Sequence, residues 1–170
     1  LIRDLEDMGM HFYEPYDVAG YDAYHQFPIY HRSWISTNYL IRRYEFIRKI
    51  ISDNQAMPGA LKVDVVAFVQ TNISNATASN AQALIMELAK YFLPVPDNLT
   101  FDPALDDASG LTAERMNYFL TAFLKAPQID ADPEGAWSFR WNNPVDMEVV
   151  RRQLESLFNA MLQSPEYQLY

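Results

Sequence analysis

A chain of 170 residues, 49% of them hydrophobic, is long enough to bury the core of one ordinary domain. Its formal net charge of −9 argues against binding along a nucleic-acid backbone, where affinity comes from clustered Lys and Arg releasing counterions. It has no cysteine, hence no disulfide framework and no thiolate chemistry, and no run of about eighteen apolar residues of the kind that forms a membrane-spanning helix.

The chain opens on Leu1 within what reads as part of an amphipathic helix over 1–8. The expectation is therefore a single helical domain, 1–170, that is a fragment or processed product of a longer protein; an absent signal peptide then carries no information. Residues 10–33 follow, rich in aromatic side chains (Phe12, Tyr13, Tyr16, Tyr21, Tyr24, Phe27, Tyr30) and interrupted by Pro15 and Pro28, with no helical period. So much aromatic surface is costly to leave in water, which predicts a long ordered loop fixed on the helical body.

Ser36 or Thr37 should cap a helix whose apolar stripe is Leu40, Tyr44, Ile47 and Ile51, widened by Ile41 and Ile50, ending before the turn at Met57-Pro58-Gly59. The segment 61–69 carries Val63, Val65 and Val66 and reads as strand or buried helix; a lone strand would lack a partner, which favours helix. A polar linker, 72–80, leads to Ser79, which with Gln82 forms a capping-box pattern opening a helix through Leu84, Ile85, Leu88, Tyr91 and Phe92 to Pro94. After a proline- and aspartate-rich loop, Thr112 should cap a helix burying Met116, Phe119, Leu120, Phe123 and Leu124. The stretch 127–143 reads as irregular, with Trp137 and Trp141 inside it. Asn143 followed by Pro144 reads as an N-cap and first helical residue, starting a helix that buries Val150, Leu154, Leu157, Phe158, Met161 and Leu162. Ser164 should cap a short final turn. These patterns predict an all-α fold, an irregular helical bundle of about five helices with long ordered aromatic and proline-rich loops.

Three stretches carry a family resemblance. The first is Met8-Gly9 through Phe12, then Pro15 and Asp17-Val18-Ala19-Gly20-Tyr21. The second is Trp34-Ile35-Ser36-Thr37, then Leu40, Arg43 and Phe46, and the third is Leu162 with Ser164-Pro165-Glu166-Tyr167-Gln168. In order and spacing the chain resembles the C-terminal portion of the bacterial family DUF1800, a domain of unknown function. Three departures stand out: Met10 where the family has glutamine, Tyr21 where it has tryptophan, and a longer segment over 22–33. The resemblance implies a mostly helical, secreted or envelope-associated bacterial protein, and it supplies no catalytic residues. Physically, Gly20 would supply a backbone angle closed to other residues, and Trp34 would anchor the aromatic loop on the helix after it. Glu166 would receive hydrogen bonds at a helix start or pair with an arginine such as Arg43.

Signatures of hydrolases, zinc proteases, P-loops and dinucleotide folds are missing from the sequence. His11, His25 and His31 share the aromatic loop with Asp17 and Asp22, so a divalent metal site is chemically conceivable there; hydrogen-bonding loop histidines are the plainer reading. Tyr21, Tyr24 and Trp34 could stack a sugar ring, or simply pack. Asp130, Asp132 and Glu134, followed by Gly135, copy the first half of a calcium loop but lack the glutamate at its twelfth position, so an acidic turn is the plainer reading and no cofactor is expected. Arg42, Arg43, Arg48 and Lys49 concentrate positive charge on one short segment, either a solvated helix face or a site for a polyanion or lipid headgroup.

The expectation for function is a non-catalytic interaction or scaffolding module, extracytoplasmic on the strength of the resemblance. Its partner would be its own upstream region, another envelope protein or a carbohydrate, with no nucleic acid and no transmembrane segment. The alternative is part of an extracellular hydrolase, with Asp17, Asp22, His25 or His31 in a cleft completed by upstream sequence. Whether the chain is an enzyme stays open on the sequence.

Overall fold

A computed structural model describes residues 1–8, 37–52, 62–94, 98–107, 111–125, 130–144 and 146–168. Among the described residues every regular element is a helix. In chain order they are α1 (Ile2–Asp7), α2 (Thr37–Ile51), α3 (Val65–Asn72), α4 (Asn75–Ala78), α5 (Ala81–Phe92), α6 (Ala113–Leu124), α7 (Pro133–Asn142), α8 (Met147–Leu162) and α9 (Pro165–Gln168). None of them is long and apolar enough to cross a membrane.

Helix α8 is the hub, touching α2, α3, α5, α6, α7 and α9. Its stripe of Val150, Leu154, Leu157, Phe158, Met161 and Leu162 is buried as its spacing predicts. Against it lie Met116, Phe119, Phe123 and Leu124 of α6, and Leu84, Ile85 and Leu88 of α5. Each such side chain contributes roughly 1.5–3 kcal/mol through removal from water, so this three-helix contact dominates the stability of the fold. On one flank Phe68, Phe92 and Phe158 form a ring cluster with centroids 5.2 to 5.9 Å apart.

The valine-rich segment is a helix. Asp64 caps it, its Oδ1 accepting from the backbone nitrogens of Val66 and Ala67, both at 3.1 Å, and Val65, Val66 and Val69 are buried. Burial and a strong cap outweigh the small helical penalty of β-branching. In α2, Ile47 and Ile51 are buried, while Ile41 lies half exposed and does not widen the stripe.

Four local expectations are corrected. The linker over 72–80 contains the turn of helix α4, capped by Ser74, whose Oγ accepts from Thr77 N at 3.2 Å. Helix α5 is capped by Asn80 rather than Ser79; Asn80 Oδ1 accepts from Ala83 N, and Ser79 Oγ donates backward to the carbonyl of Ala76. The stretch read as irregular around Trp137 is helix α7, with Asp132 as its cap and Pro133 in its first turn. Asn143-Pro144 therefore closes α7 instead of opening α8: Asn143 Nδ2 donates to the carbonyl of Phe139 at 2.8 Å, and α8 begins at Met147. An asparagine followed by proline suits either helix end, because proline cannot continue a helix yet is well suited to starting one.

Helix α7 is docked by its tryptophans. Trp137 is fully buried, its ring centroid 4.5 Å from that of Phe123, and its Nε1 donates to the carbonyl of Ala78 at 2.9 Å. Trp141 stacks on it at 5.4 Å and donates to Asn75 Oδ1. Arg140 of the same helix is buried and makes a two-pronged pair with Asp130, at 2.8 and 2.9 Å, which pushes its pKa further up.

Candidate functional site

Three helical stripes converge on a cleft of about 550 Å³. Tyr44 and Arg48 of α2 and Ser52 just past its end recur every fourth residue. Arg115, Tyr118 and Ala122 follow the three-then-four rhythm of one face of α6, and Ser156, Asn159 and Ala160 of α8 with its C-cap Gln163 do the same; Ser164 and Pro165 close one end. The volume is in the range of pockets that hold small organic ligands. In a chain with 22 acidic residues, no carboxylate is among the described residues lining this cleft, and two arginines are.

The arginines differ in how they are held. Arg115 donates from Nε to Glu166 Oε1 at 2.9 Å, and its guanidinium carbon sits 5.6 Å from the centroid of the Tyr118 ring. Those two contacts fix the plane of the group and leave both Nη nitrogens without a hydrogen bond among the described residues. Arg48 is exposed and has no acidic partner among the described residues. Ser156 Oγ donates to the carbonyl of Ala122 at 2.9 Å, and Asn159 and Gln163 are engaged along α8, Gln163 donating to Asn159. On the lining residues, the Arg48 guanidinium, the Nη groups of Arg115 and the phenol hydroxyls of Tyr44 and Tyr118 are donors with no hydrogen-bond partner among the described residues.

A second hollow of about 440 Å³ lies on the other side of α9 and is mainly apolar, lined by Leu5 and Met8 of the chain's start, Arg43, Phe46, Ile47 and Ile50 of α2, Phe92, Pro94 and Leu162, and Glu166, Tyr167 and Gln168. Members of all three resemblance stretches meet here: Met8, Arg43 with Phe46, and Glu166-Tyr167-Gln168. They line one hollow bordered by the first helix, the second and the last. Gln168 Nε2 donates to the carbonyl of Leu162 at 2.8 Å, and Lys49 Nζ to Asp4 Oδ1 at 2.6 Å, which ties α1 to α2. That lysine holds the Asp4 carboxyl below the usual carboxylate range, more strongly than partial burial raises it.

The predicted site residues fall into three groups. Asp17, Gly20, Tyr21, Asp22, Tyr24, His25, His31 and Trp34, together with His11, lie outside the described residues. Asp130, Asp132 and Glu134 are described, and each is engaged by protein: Asp130 holds Arg140, Asp132 Oδ1 accepts from Gly135 N at 3.1 Å as the α7 cap, and Glu134 accepts from Gln82 Nε2 at 3.2 Å. A Cβ at Gly135 would run into the Asp132 carboxylate, so the glycine in this pattern serves the cap's close approach. Finally, Glu166 pairs with Arg115, not with Arg43, although Arg43 lines the same hollow.

The basic run on α2 is also divided by the helix. Arg42 pairs with Glu45 and Lys49 with Asp4, Arg43 faces the apolar hollow, and Arg48 faces the cleft. At 100° per residue these four side chains cannot share a face. Sequence reasoning does not single out Arg115 and Tyr118; their signal is a lone arginine with tyrosine three residues on, a spacing that sets a ring beside a guanidinium.

The helices and the cleft define an all-α domain organised around one buried hub helix, with a polar, cation-lined hollow at its side. The chain belongs to the DUF1800 family, whose description is "protein of unknown function", and the family model matches residues 1–169. No curated protein matches the sequence. No solved structure matches it either.

Proposed function

We propose that this chain is a non-catalytic recognition module of an extracytoplasmic bacterial protein, and that it binds an anionic group in the cleft between α2, α6 and α8. The observation that carries this reading is the donor set: two guanidinium groups and two phenols with no carboxylate among the described lining residues. Arg48 has no acidic partner among the described residues, so an anion in the cleft meets an uncompensated cation, and an arginine already fixed by Glu166 and Tyr118 loses little freedom on binding one. Binding fits the cleft better than turnover does. Of its serines, Ser156 donates its hydroxyl to a backbone carbonyl and Ser164 Oγ accepts from Tyr167 N, and no histidine or carboxylate is among the described lining residues to act as a base.

The location rests on the family resemblance, and the partner carrying the anion would be another part of the same protein or a second envelope component. The test is thermal unfolding of the 170-residue chain across a panel of small oxyanions at constant ionic strength. A concentration-dependent rise in Tm for at least one of them, reduced in Arg48→Gln, is expected. A flat response to the whole panel would remove the reading.

A further inference from the structure

We propose that the anion taken by this cleft is a dianionic phosphate monoester, gripped between Arg48 and Arg115 with the hydroxyls of Tyr44 and Tyr118 as further donors. The inference rests on the anion-binding reading above and specifies its ligand. Charge comes first: Glu166 offsets Arg115, while Arg48 has no acidic partner among the described residues, so the two guanidinium groups of the cleft keep a net positive charge that an anion offsets.

Geometry and donor count point the same way. Glu166 occupies only Nε of Arg115, so the Nη edge remains as a fork suited to two oxygens of one group. With Arg48 and two phenols added, the free donors outnumber what a carboxylate's two oxygens take comfortably and match three phosphate oxygens.

Size decides that the phosphate is attached to something. A cleft of about 550 Å³ is several times larger than an isolated phosphate, and Ala122, Ala160 and Pro165 give the remainder an apolar wall. The same phosphoryl group could sit on a soluble ester or on a lipid headgroup, and the chemistry of the grip is shared.

The experiment is calorimetric titration of the 170-residue chain with inorganic phosphate, glycerol phosphate, dimethyl phosphate and acetate. It is accompanied by sedimentation with phosphatidylcholine vesicles containing or lacking phosphatidic acid. Glycerol phosphate should bind at least about tenfold more tightly than the monoanionic dimethyl phosphate or acetate. Arg48→Gln and Arg115→Lys should each weaken it about tenfold, the loss expected for one charge-assisted hydrogen bond. Arg48 is exposed, so its variant folds, and unchanged affinity in it would overturn the assignment. Co-sedimentation that requires phosphatidic acid and is lost in Arg48→Gln places the phosphate on a lipid; titration without sedimentation places it on a soluble ester. Acetate binding as tightly as the phosphates would overturn the ligand class while leaving the anion site standing. No binding by any of them would end both.

Discussion

Glu166, in the last helix of the chain, accepts a hydrogen bond from Nε of Arg115 across 51 positions of sequence, at 2.9 Å. The closing Ser164-Pro165-Glu166-Tyr167-Gln168 stretch thereby acts as a brace: it seats α9 against α6, sets the plane of an arginine in the cleft and forms a wall of the apolar hollow. Replacing Glu166 with Gln keeps the shape and removes the charge. Both partners are about one-third exposed, so the expected loss is about 1 kcal/mol, smaller at high salt. Urea unfolding at two salt concentrations measures it. A salt-independent loss would mean that packing of α9, rather than charge, is what Glu166 supplies.

The Trp137 indole bonded to Ala78 predicts a second effect. Trp137→Phe keeps a ring beside Phe123 but leaves the carbonyl of Ala78 without its donor in a buried setting. Orphaning that acceptor and leaving a gap should together cost about 2–4 kcal/mol. The difference in unfolding free energy reads it directly, and a loss under about 1 kcal/mol would show that α4 shifts to satisfy its carbonyl elsewhere.

Gln153 is fully buried on α8, and neither its amide nitrogen nor its amide oxygen has a hydrogen-bond partner among the described residues. Such a group costs about 1–3 kcal/mol relative to an apolar one of similar shape. Gln153→Met should therefore stabilise the chain by about 1 kcal/mol or more, visible as a higher urea midpoint at unchanged slope. Destabilisation would reveal that the amide serves a partner that enters this region.

Asp130 holds a nearly buried Arg140 with both carboxylate oxygens. In Asp130→Asn the guanidinium stays buried with its counter-charge gone, at an expected cost of about 3 kcal/mol. Because Asp130, Asp132 and Glu134 all have protein partners, a chelator should leave Tm of the unaltered chain where it is. A rise in Tm on adding calcium would instead show that these carboxylates separate from their partners to hold an ion.

Asp4 supplies the pH dependence. Its folded pKa is depressed, chiefly by the hydrogen bond from Lys49, so its contribution is present above the unfolded carboxylate value and fades as acid protonates it through the lower folded value. Asp4→Asn should lower Tm at neutral pH, and the gap to the unaltered chain should close on acidification below about pH 4. A gap of equal size in acid and at neutral pH would assign the effect to something other than the carboxylate's charge.

Periodicity and caps make most of the helices legible from residue order alone. The stripes of α6 and α8 and the Thr112 cap depend only on residues within a turn or two of each other, and local sequence contains that information. The valines of α3 favour either element, and what settles them is Asp64 placed one residue ahead of Val65. Helix α7 escapes sequence reasoning because Trp137, Phe139 and Trp141 carry no clean stripe and Asn143-Pro144 reads equally as a start or an end. It is held in place by bonds from its tryptophans to α4, 59 and 66 positions away in the chain.

By itself, then, the sequence determined the helical class, the family stretches and which faces of α6 and α8 turn inward, because a side chain's angular position on a helix follows from counting residues. Only the tertiary structure decided that Arg48 and Arg115 share a cleft, that Glu166 chooses Arg115 over Arg43, and that the calcium-like acidic run is a helix cap with a salt bridge. The first two pairings join positions far apart along the chain on different helices, brought within reach by the crossing of the helices around α8, whereas the last is local and depends on the stretch around Trp137 being helical, which its docking on the core decides.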